Sequence, residues 1–417
     1  MRILLANTTA YPVIGGVENS LRFIGRELLR AGHEVRIFCL QMSPSEPLRM
    51  EHEGMEIIRH PYRPERWPHA RLRGTVDAAR EGSPAAIREF QPDAVWSRSA
   101  PVGQGIRAGG FQGPLLQIFP TNAKMNCRGL YLQTRGLPWM RRLMLLGLWP
   151  SAWFSSARLE RSLARQCTSV AFSENMRRQL LAGFPPDARE CQVIPPGVDH
   201  EVYSPENGAR YFPELTREFG IHPGEPLVLY VGRLSIAKHI PMLIDALALL
   251  KVPARLVLVG SGSDEANLRD YAARRGMAER VVFAGSHSEK LPGFYAISRV
   301  SVLPTTTESF GQVYLESLAC GTPAVGFAGD GKRVLTATSE ILRDGETGGV
   351  ATRVCASALA EKLDEILSMD QDAYEVMSVR ARADVMARFS WHVFVERALA
   401  LSGTGVLARS GDMYHGA

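Results

Sequence analysis

Lysine is nearly missing from this chain: of 48 basic residues, six are lysines and the other 42 are arginines. That bias suggests a GC-rich genome more than a mechanism. The basic residues are scattered and the net charge is only +5. A nucleic-acid groove needs them gathered on one face, so no nucleic-acid partner is expected and small anionic ligands are favoured only weakly. Cysteine is sparse too. Cys39, Cys127, Cys167, Cys191, Cys320 and Cys355 show neither pairing nor metal spacing, and read as core residues of a reducing cytosol. No His/Cys cluster has ligand spacing, so no metal is expected. No run reaches the roughly 18 apolar residues of a membrane span. Met1-Arg2-Ile3-Leu4-Leu5 is too short for a signal peptide and leads into a glycine turn. The dinucleotide fingerprint is also incomplete: Gly260-Ser261-Gly262-Ser263-Asp264 is followed by Glu265 where the third glycine belongs. It reads as a close-packed turn near a ligand. Asp370-Gln371-Asp372 has the two-aspartate spacing of some metal sites, but lies in a polar break far from any strand end and reads as solvated surface.

What is present is an ordinary globular composition, 45% hydrophobic and 22% charged. A chain of 417 residues is too long for one core and predicts two domains of about 200 residues. Strand Ile3–Ala6, a helix over about Val17 to Arg30, and strand Val35–Leu40 form a βαβ unit. Apolar runs at 56–59, 94–96, 115–119, 169–172 and 192–194 continue it. Pro195-Pro196-Gly197-Val198-Asp199 punctuates the chain at its middle. The pattern then repeats, with strands at 227–231, 256–259, 281–283 and 300–303, and a largely helical stretch from Leu359 to near Leu399. The fold class is α/β: two parallel sheets, each covered by helices on both faces. The expected division is 1–196, 197–390 and a C-terminal helix over 391–417 that returns to the first domain and ends in a frayed tail from Ser402.

The chemistry concentrates at Glu308-Ser309-Phe310-Gly311, with Glu316 eight residues after Glu308. Glu308 follows a buried strand at its carboxyl end, where open α/β sheets bind ligands. Glu316 lies further on, along the next helix. Phe310 and Gly311 leave backbone amides at that helix's start, suited to phosphate. A ligand with hydroxyls at both ends and phosphate between, such as a nucleotide sugar, satisfies all three. Arg233 and Lys238 follow the first strand of the second half and suit a diphosphate, although alone they read as solvated cations. Gly15-Gly16 lets a backbone come close to a ligand, or simply makes a tight turn. The segment Leu137 to Gln166 carries Trp139, Trp149 and Trp153 with Arg141, Arg142, Arg158, Arg161 and Arg165, and Arg135 precedes it. It reads as the wall of an acceptor pocket, or as a basic helix lying on a membrane. Pro138 and Pro150 are expected to break its continuous face, which favours the wall.

In order and spacing these features resemble glycosyltransferase family 4, which has the GT-B fold of two facing Rossmann-like domains. The matching residues are Gly15-Gly16-Val17-Glu18, Pro196-Gly197-Val198-Asp199, Val231-Gly232-Arg233-Leu234 with Lys238, and Glu308-Ser309-Phe310-Gly311 with Glu316. The resemblance is strong from Ile194 to Gly326 and thin from Glu46 to Gln166. It implies a retaining, metal-independent transfer from a nucleoside diphosphate sugar, UDP-linked, to a hydroxyl acceptor, with attack on the front face and the leaving phosphate taking the proton. It further implies that Arg233, Lys238, Gly16 and Gly311 hold the diphosphate. Glu308, Phe310 and Gly311 would hold the sugar, with Glu308 as the catalytic group. Glu316 would hold the ribose, and the base would lie near Ser286-His287. No cofactor is implied. The acceptor would be a small metabolite, a lipid-linked sugar or a glycan, and the protein cytoplasmic, with at most peripheral contact with the inner face of a membrane. Two departures stand out. The family's histidine after the 115–119 strand is replaced by Phe119-Pro120-Thr121-Asn122, so Thr121 or Asn122 would serve the acceptor. The glycine that often follows the lysine is His239. A non-catalytic nucleotide-sugar-binding scaffold and a nucleotide-sugar epimerase remain as alternatives.

Overall fold

The computed structural model describes residues 1–13, 15–65, 68–126, 128, 139–222 and 224–403, with the backbone alone at 68–69, 139–149 and 152. Cys127, Arg135, Leu137, Pro138 and the tail beyond Gly403 lie outside them, as do the side chains of Trp139, Arg141, Arg142 and Trp149.

Two sheets carry the chain. The first holds β1 (Arg2–Ala6), β2 (Glu34–Gln41), β3 (Arg49–His52), β4 (Met55–Pro61), β5 (Ala94–Ser97), β6 (Leu115–Ile118), β7 (Thr168–Ala171) and β8 (Cys191–Val193). Their spatial order is 3-4-2-1-5-6-7-8. The second holds β9 (Leu227–Val231), β10 (Arg255–Val259), β11 (Val281–Gly285), β12 (Val300–Leu303), β13 (Ala324–Phe327) and β14 (Gly348–Ala351), in the order 11-10-9-12-13-14. Every pairing is parallel except β3 with β4. The central strands are buried along their whole length, as at β5, β6, β12 and β13. Helices cover both faces, which is why these strands read as unbroken apolar runs. The edge strand β3 (Arg-Met-Glu-His) has no such run. It is a half-exposed hairpin arm, turned by Glu53 and Gly54 at positive φ.

In each sheet the strand order reverses once, between β1 and β5 in the first and between β9 and β12 in the second. Loops leaving the carboxyl ends of those neighbours diverge to opposite faces and open a crevice, the place where open α/β sheets bind ligands.

The chain passes between the sheets twice, side by side. The Val198 amide donates to Phe389 O at 3.1 Å, and a Cβ on Gly197 would come within 2.1 Å of the Trp391 nitrogen, so only glycine fits that crossing. The final helix, Trp391–Ser402, packs on the first helix, Gly16–Arg30, with Trp391 stacked on Phe23. The buried indole of Trp96 donates to Ser402 Oγ at 2.6 Å.

One expectation fails. The helix Trp139–Gln166 runs straight through Pro150. A proline removes one backbone hydrogen bond and crowds the preceding turn. Here the turns on either side persist, and Leu163 and Ala164, at the C-terminal end, are wholly buried. Among the described residues, no helix is long and apolar enough to cross a membrane.

Candidate functional site

The crevice of the second sheet is a cleft of about 680 Å³. Gly232, Arg233, Ser235 and Lys238 line it from the loop after β9, and Thr307, Glu308, Ser309 and Gly311 from the loop after β12. Thr121, Met125 and Asn126 of the first half close its far side. The structure thus brings Arg233, Lys238, Glu308, Gly311 and Thr121 into one space.

The first loop is rigidly built. Tyr230 donates from its hydroxyl to Arg233 O at 3.0 Å. Asp264 accepts from the Ile236 amide at 2.6 Å and so fixes the short 3₁₀ turn Ile236–Lys238. Gly232 stands at φ 148°, and a Cβ on Gly260 would come within 2.0 Å of its carbonyl oxygen. The incomplete glycine fingerprint is therefore a contact between neighbouring turns. Arg233 is exposed and forms no ion pair among the described residues. Lys238 Nζ lies 2.7 Å from Glu308 Oε2. That bond spans the divergence of β9 and β12, with both side chains about a quarter exposed (24%). Glu308 is itself anchored: its amide donates to Leu335 O at 2.9 Å.

His239 explains a departure seen in the sequence. It is left-handed, at φ 53° and ψ 30°, a conformation that favours glycine. The imidazole offsets the strain by bonding Thr306 Oγ1 at 3.1 Å, which ties the lysine loop to the glutamate loop.

The helix Gln312–Ala319 starts at Gly311, which has φ 104°. No side chain caps its first amides, and Gln312 and Val313 line the cleft. The cleft thus meets the positive end of a helix, where phosphate is stabilised. Glu316, further along, is not among the lining residues. Its carboxylate accepts from the Tyr295 hydroxyl at 2.8 Å, and Tyr203 also bonds it. Burial raises the Glu316 pKa to about 7, only partly opposed by the two hydroxyls. Burial, together with the nearby carboxylate, raises the pKa of both tyrosines.

Other expected residues lie elsewhere. Gly16 is exposed at its helix start, outside the cleft lining. The Phe310 ring is 4% exposed and packs edge-on against Phe172 and Phe389. Ser286 is exposed and donates to Ser261 Oγ at 3.0 Å. His287 packs against Phe219 and Phe294 and bonds Ala284 O at 2.7 Å. Asn122 is buried: it accepts from the Met125 amide at 2.8 Å and contacts Met176 and Gln179. Its work is to cap the helical residues 123–126, so of the two expected acceptor-side residues only Thr121 lines the cleft.

The crevice of the first sheet is a second pocket of about 320 Å³. Asn7, Thr8 and Thr9 follow β1, Arg98 to Pro101 follow β5, and Phe119 to Thr121 follow β6; Glu18, Ser156 and Glu160 complete it. Thr121 and Asn126 line both pockets, so the two crevices share a wall. Arg98 is 2% exposed and stacks 4.7 Å from the Phe172 ring centroid. One nitrogen donates to Ser20, and its Nε has no partner among the described residues. Burial lowers its pKa to about 9, with Glu18 opposing the shift. Sequence reading passed over Arg98, Asn7 and Thr9, although Arg98 and Asn7 immediately follow a strand and Thr9 lies two residues beyond Asn7.

The comparisons with known proteins agree with this architecture. The pattern of "Glycosyltransferase Family 4" matches residues 14–202, and that of "Glycosyl transferases group 1" matches residues 212–384. A D-inositol 3-phosphate glycosyltransferase of Mycobacterium marinum is 32% identical over 239 residues, 55% of this chain and 48% of that protein. The chain thus spans about half the length of that curated relative. A GDP-mannose-dependent alpha-(1-6)-phosphatidylinositol monomannoside mannosyltransferase of Mycolicibacterium smegmatis is 27% identical over 413 residues, 93% of this chain and 95% of that one. Sucrose-phosphate synthase from Thermosynechococcus elongatus matches in structure with a TM-score of 0.76 at 23% identity, covering 96% of this chain and 98% of that one. Anabaena HepE in complex with UDP and glucose gives 0.70 at 19%, with the same coverage. Two parallel-sheet domains of GT-B type, matched half by half, identify the chain as a member of glycosyltransferase family 4.

Proposed function

We propose that the protein transfers a sugar from a nucleoside diphosphate sugar to a hydroxyl acceptor. The observation that carries this is the shared wall: a cationic, glycine-lined crevice in one sheet has Thr121 and Asn126 in common with a hydroxyl-rich crevice in the other. In this reading residues 1–196 form the acceptor side and 197–390 the donor side, while the helix from 391 returns to the acceptor side.

The diphosphate lies between Arg233 and Lys238, against the amides at Gly311 and Gln312. Arginine offers a fork and lysine a point charge, and the helix start adds a fixed dipole. Together they stabilise the charge that develops on the leaving group, so no divalent metal is needed. Glu308 turns from Lys238 to the hydroxyls of the transferred sugar. Glu316 exchanges tyrosine hydroxyls for those of the ribose. Ser286 and His287 mark the base end. Domain closure brings Gly16 onto the phosphates. The acceptor oxygen attacks the anomeric carbon from the face the phosphate leaves, the carbon–phosphate oxygen bond breaks, and the departing phosphate takes the acceptor's proton. Configuration is retained and no protein nucleophile is used.

UDP is the nucleotide in the HepE complex and GDP-mannose the donor in the name of the long relative, so the base is tested by both. The protein is incubated with UDP-glucose and GDP-mannose, with and without EDTA, and donor loss and the anomeric configuration of the product are followed by NMR. Donor consumption unaffected by EDTA, with retention, is expected. Binding without turnover would establish a scaffold, and interconversion of free donors an epimerase.

A further inference from the structure

One carboxylate on the acceptor side has no role in the reading above. Glu160 is the only acidic residue between Asp93 and Glu174, in a stretch rich in arginine. It sits on the helix Trp139–Gln166 with arginines at 158 and 161, yet among the described residues it forms no ion pair. An exposed carboxylate so placed would be drawn to one of them. Instead it turns inward. One oxygen accepts from the Ala123 amide at 2.6 Å, which places it beside the Phe119-Pro120-Thr121-Asn122 loop. The other has no partner among the described residues, and Glu160 lines the 320 Å³ pocket together with Thr121 and Asn126.

The remaining lining states what such a carboxylate could hold. Asn7, Thr8, Thr9, Ser99 and Ser156 offer hydroxyls and amides. Among the described residues the lining charges are Glu18, Glu160 and Arg98. Arg98 is stacked on Phe172 and bonded to Ser20, with Glu18 as its nearby anion. The pocket therefore offers no surplus positive charge to an anionic group. An unpaired acceptor atom among hydroxyls suits a neutral, polyhydroxylated ring, since a carboxylate binds a hydroxyl donor more strongly than a neutral oxygen does. Desolvation has the same consequence: burial raises the Glu160 pKa to about 7, and a hydroxyl donor on the free oxygen would relieve part of that cost.

We propose that Glu160 is an acceptor-binding residue whose free carboxylate oxygen takes a hydroxyl hydrogen bond from a neutral polyol, such as a sugar or cyclitol ring, and aims that ring across Thr121 at the donor cleft. The proposal rests on the transferase reading and assigns the acceptor end of the same site. It gives the missing histidine's neighbourhood a polar group drawn from a distant helix.

The test uses Glu160→Gln in the full chain. The amide oxygen of glutamine still accepts from Ala123, so the fold is kept, while the charge is lost. Wild type and variant are titrated with myo-inositol and with methyl α-D-mannopyranoside by ligand-observed NMR. UDP-glucose and GDP-mannose affinities and melting temperature are measured alongside. Wild type is expected to bind at least one polyol, and the variant to bind it roughly ten- to hundredfold more weakly, as for a lost charged hydrogen bond. Donor affinity and melting temperature should not change. Equal polyol affinity in the two proteins, or no polyol binding by wild type, overturns the proposal. A drop in donor affinity and melting temperature together with polyol affinity would assign Glu160 a structural role and also overturn it. Failure of wild type to bind either donor would instead remove the transferase reading itself.

Discussion

The two crevices occupy equivalent places in two similar sheets but are made of different materials. The second-sheet cleft is built mainly from the two loops that follow the neighbouring strands β9 and β12, and its ligand groups are two cations, a carboxylate and backbone at glycine. The first-sheet pocket gathers short runs from after β1, β5 and β6 and adds residues of the helices Gly16–Arg30 and Trp139–Gln166. In the proposed function the first kind of site would take a diphosphate, whose geometry hardly varies, and the second whatever the acceptor happens to be. A diphosphate site can be written in short motifs, because its groups sit within a few residues of a strand end. A pocket assembled from separate segments leaves no such pattern.

The pin between the halves offers the largest test of that contrast. Phe172 touches Arg98 of the acceptor pocket on one side and Phe310 and Phe394 on the other. Phe172→Ala is expected to cost about 3–5 kcal/mol of stability, as for other buried phenylalanines. Thermal melts would show it, and donor and polyol affinities should fall together. A variant that loses only one affinity would show that the two crevices are independent.

Glu308→Ala and Lys238→Ala separate the halves. Each removes a charge-assisted contact worth roughly 1.5–3 kcal/mol. Glu308→Ala should chiefly lower kcat, and Lys238→Ala should chiefly raise the donor KM. Polyol binding should be unchanged in both, because neither residue lines the first pocket. Steady-state kinetics with varied donor checks this, and unchanged constants in both variants would sink the donor assignment.

How much of this was legible follows the same division. Arg233, Lys238, Glu308 and Gly311 converge in space because β9 and β12 are neighbours at the reversal of strand order. The resemblance to the family carried that information, since alone Arg233 and Lys238 read as solvated cations. Thr121 was found because it stands near the place of the family's histidine, but its neighbour Asn122 was not told apart from it, because which of two adjacent polar residues caps a helix depends on the residues packed around it. Glu160 could have been noticed as the single acid in an arginine-rich segment. The edge strand β3 was missed because a half-exposed strand of charged residues has no apolar run to announce it. Phe310 read as part of the ligand loop, yet its ring is spent on the domain contact.

Glu316 gives a pH test confined to the donor side. Its folded pKa, about 7, lies above the ordinary 4.5. The folded protein therefore holds this proton more tightly than the unfolded chain. Stability from this group is full below pH 4.5, falls as pH rises toward 7, and is level above that. Donor affinity should run the other way, since the ionised carboxylate is the better acceptor for ribose hydroxyls. Donor Kd should fall as pH rises through about 7, and Glu316→Gln should flatten that dependence.

The smallest effect is expected at His239, where the two donor loops meet. Holding a non-glycine residue in the left-handed region costs roughly 1–2 kcal/mol, and His239→Gly relieves that. Glycine in turn loses more chain entropy on folding, about 0.5–1 kcal/mol. It also loses the bond to Thr306, worth about 0.5–1.5 kcal/mol. The terms nearly cancel, so the melting temperature should hardly move and donor KM should change only slightly. Circular dichroism melts and donor kinetics measure both. A large rise in donor KM at unchanged stability would mean that the imidazole bridge, more than the backbone turn, sets the distance between Lys238 and Glu308. The donor site would then owe part of its geometry to a side chain of this particular chain, and would be less generic than its contrast with the acceptor pocket implies.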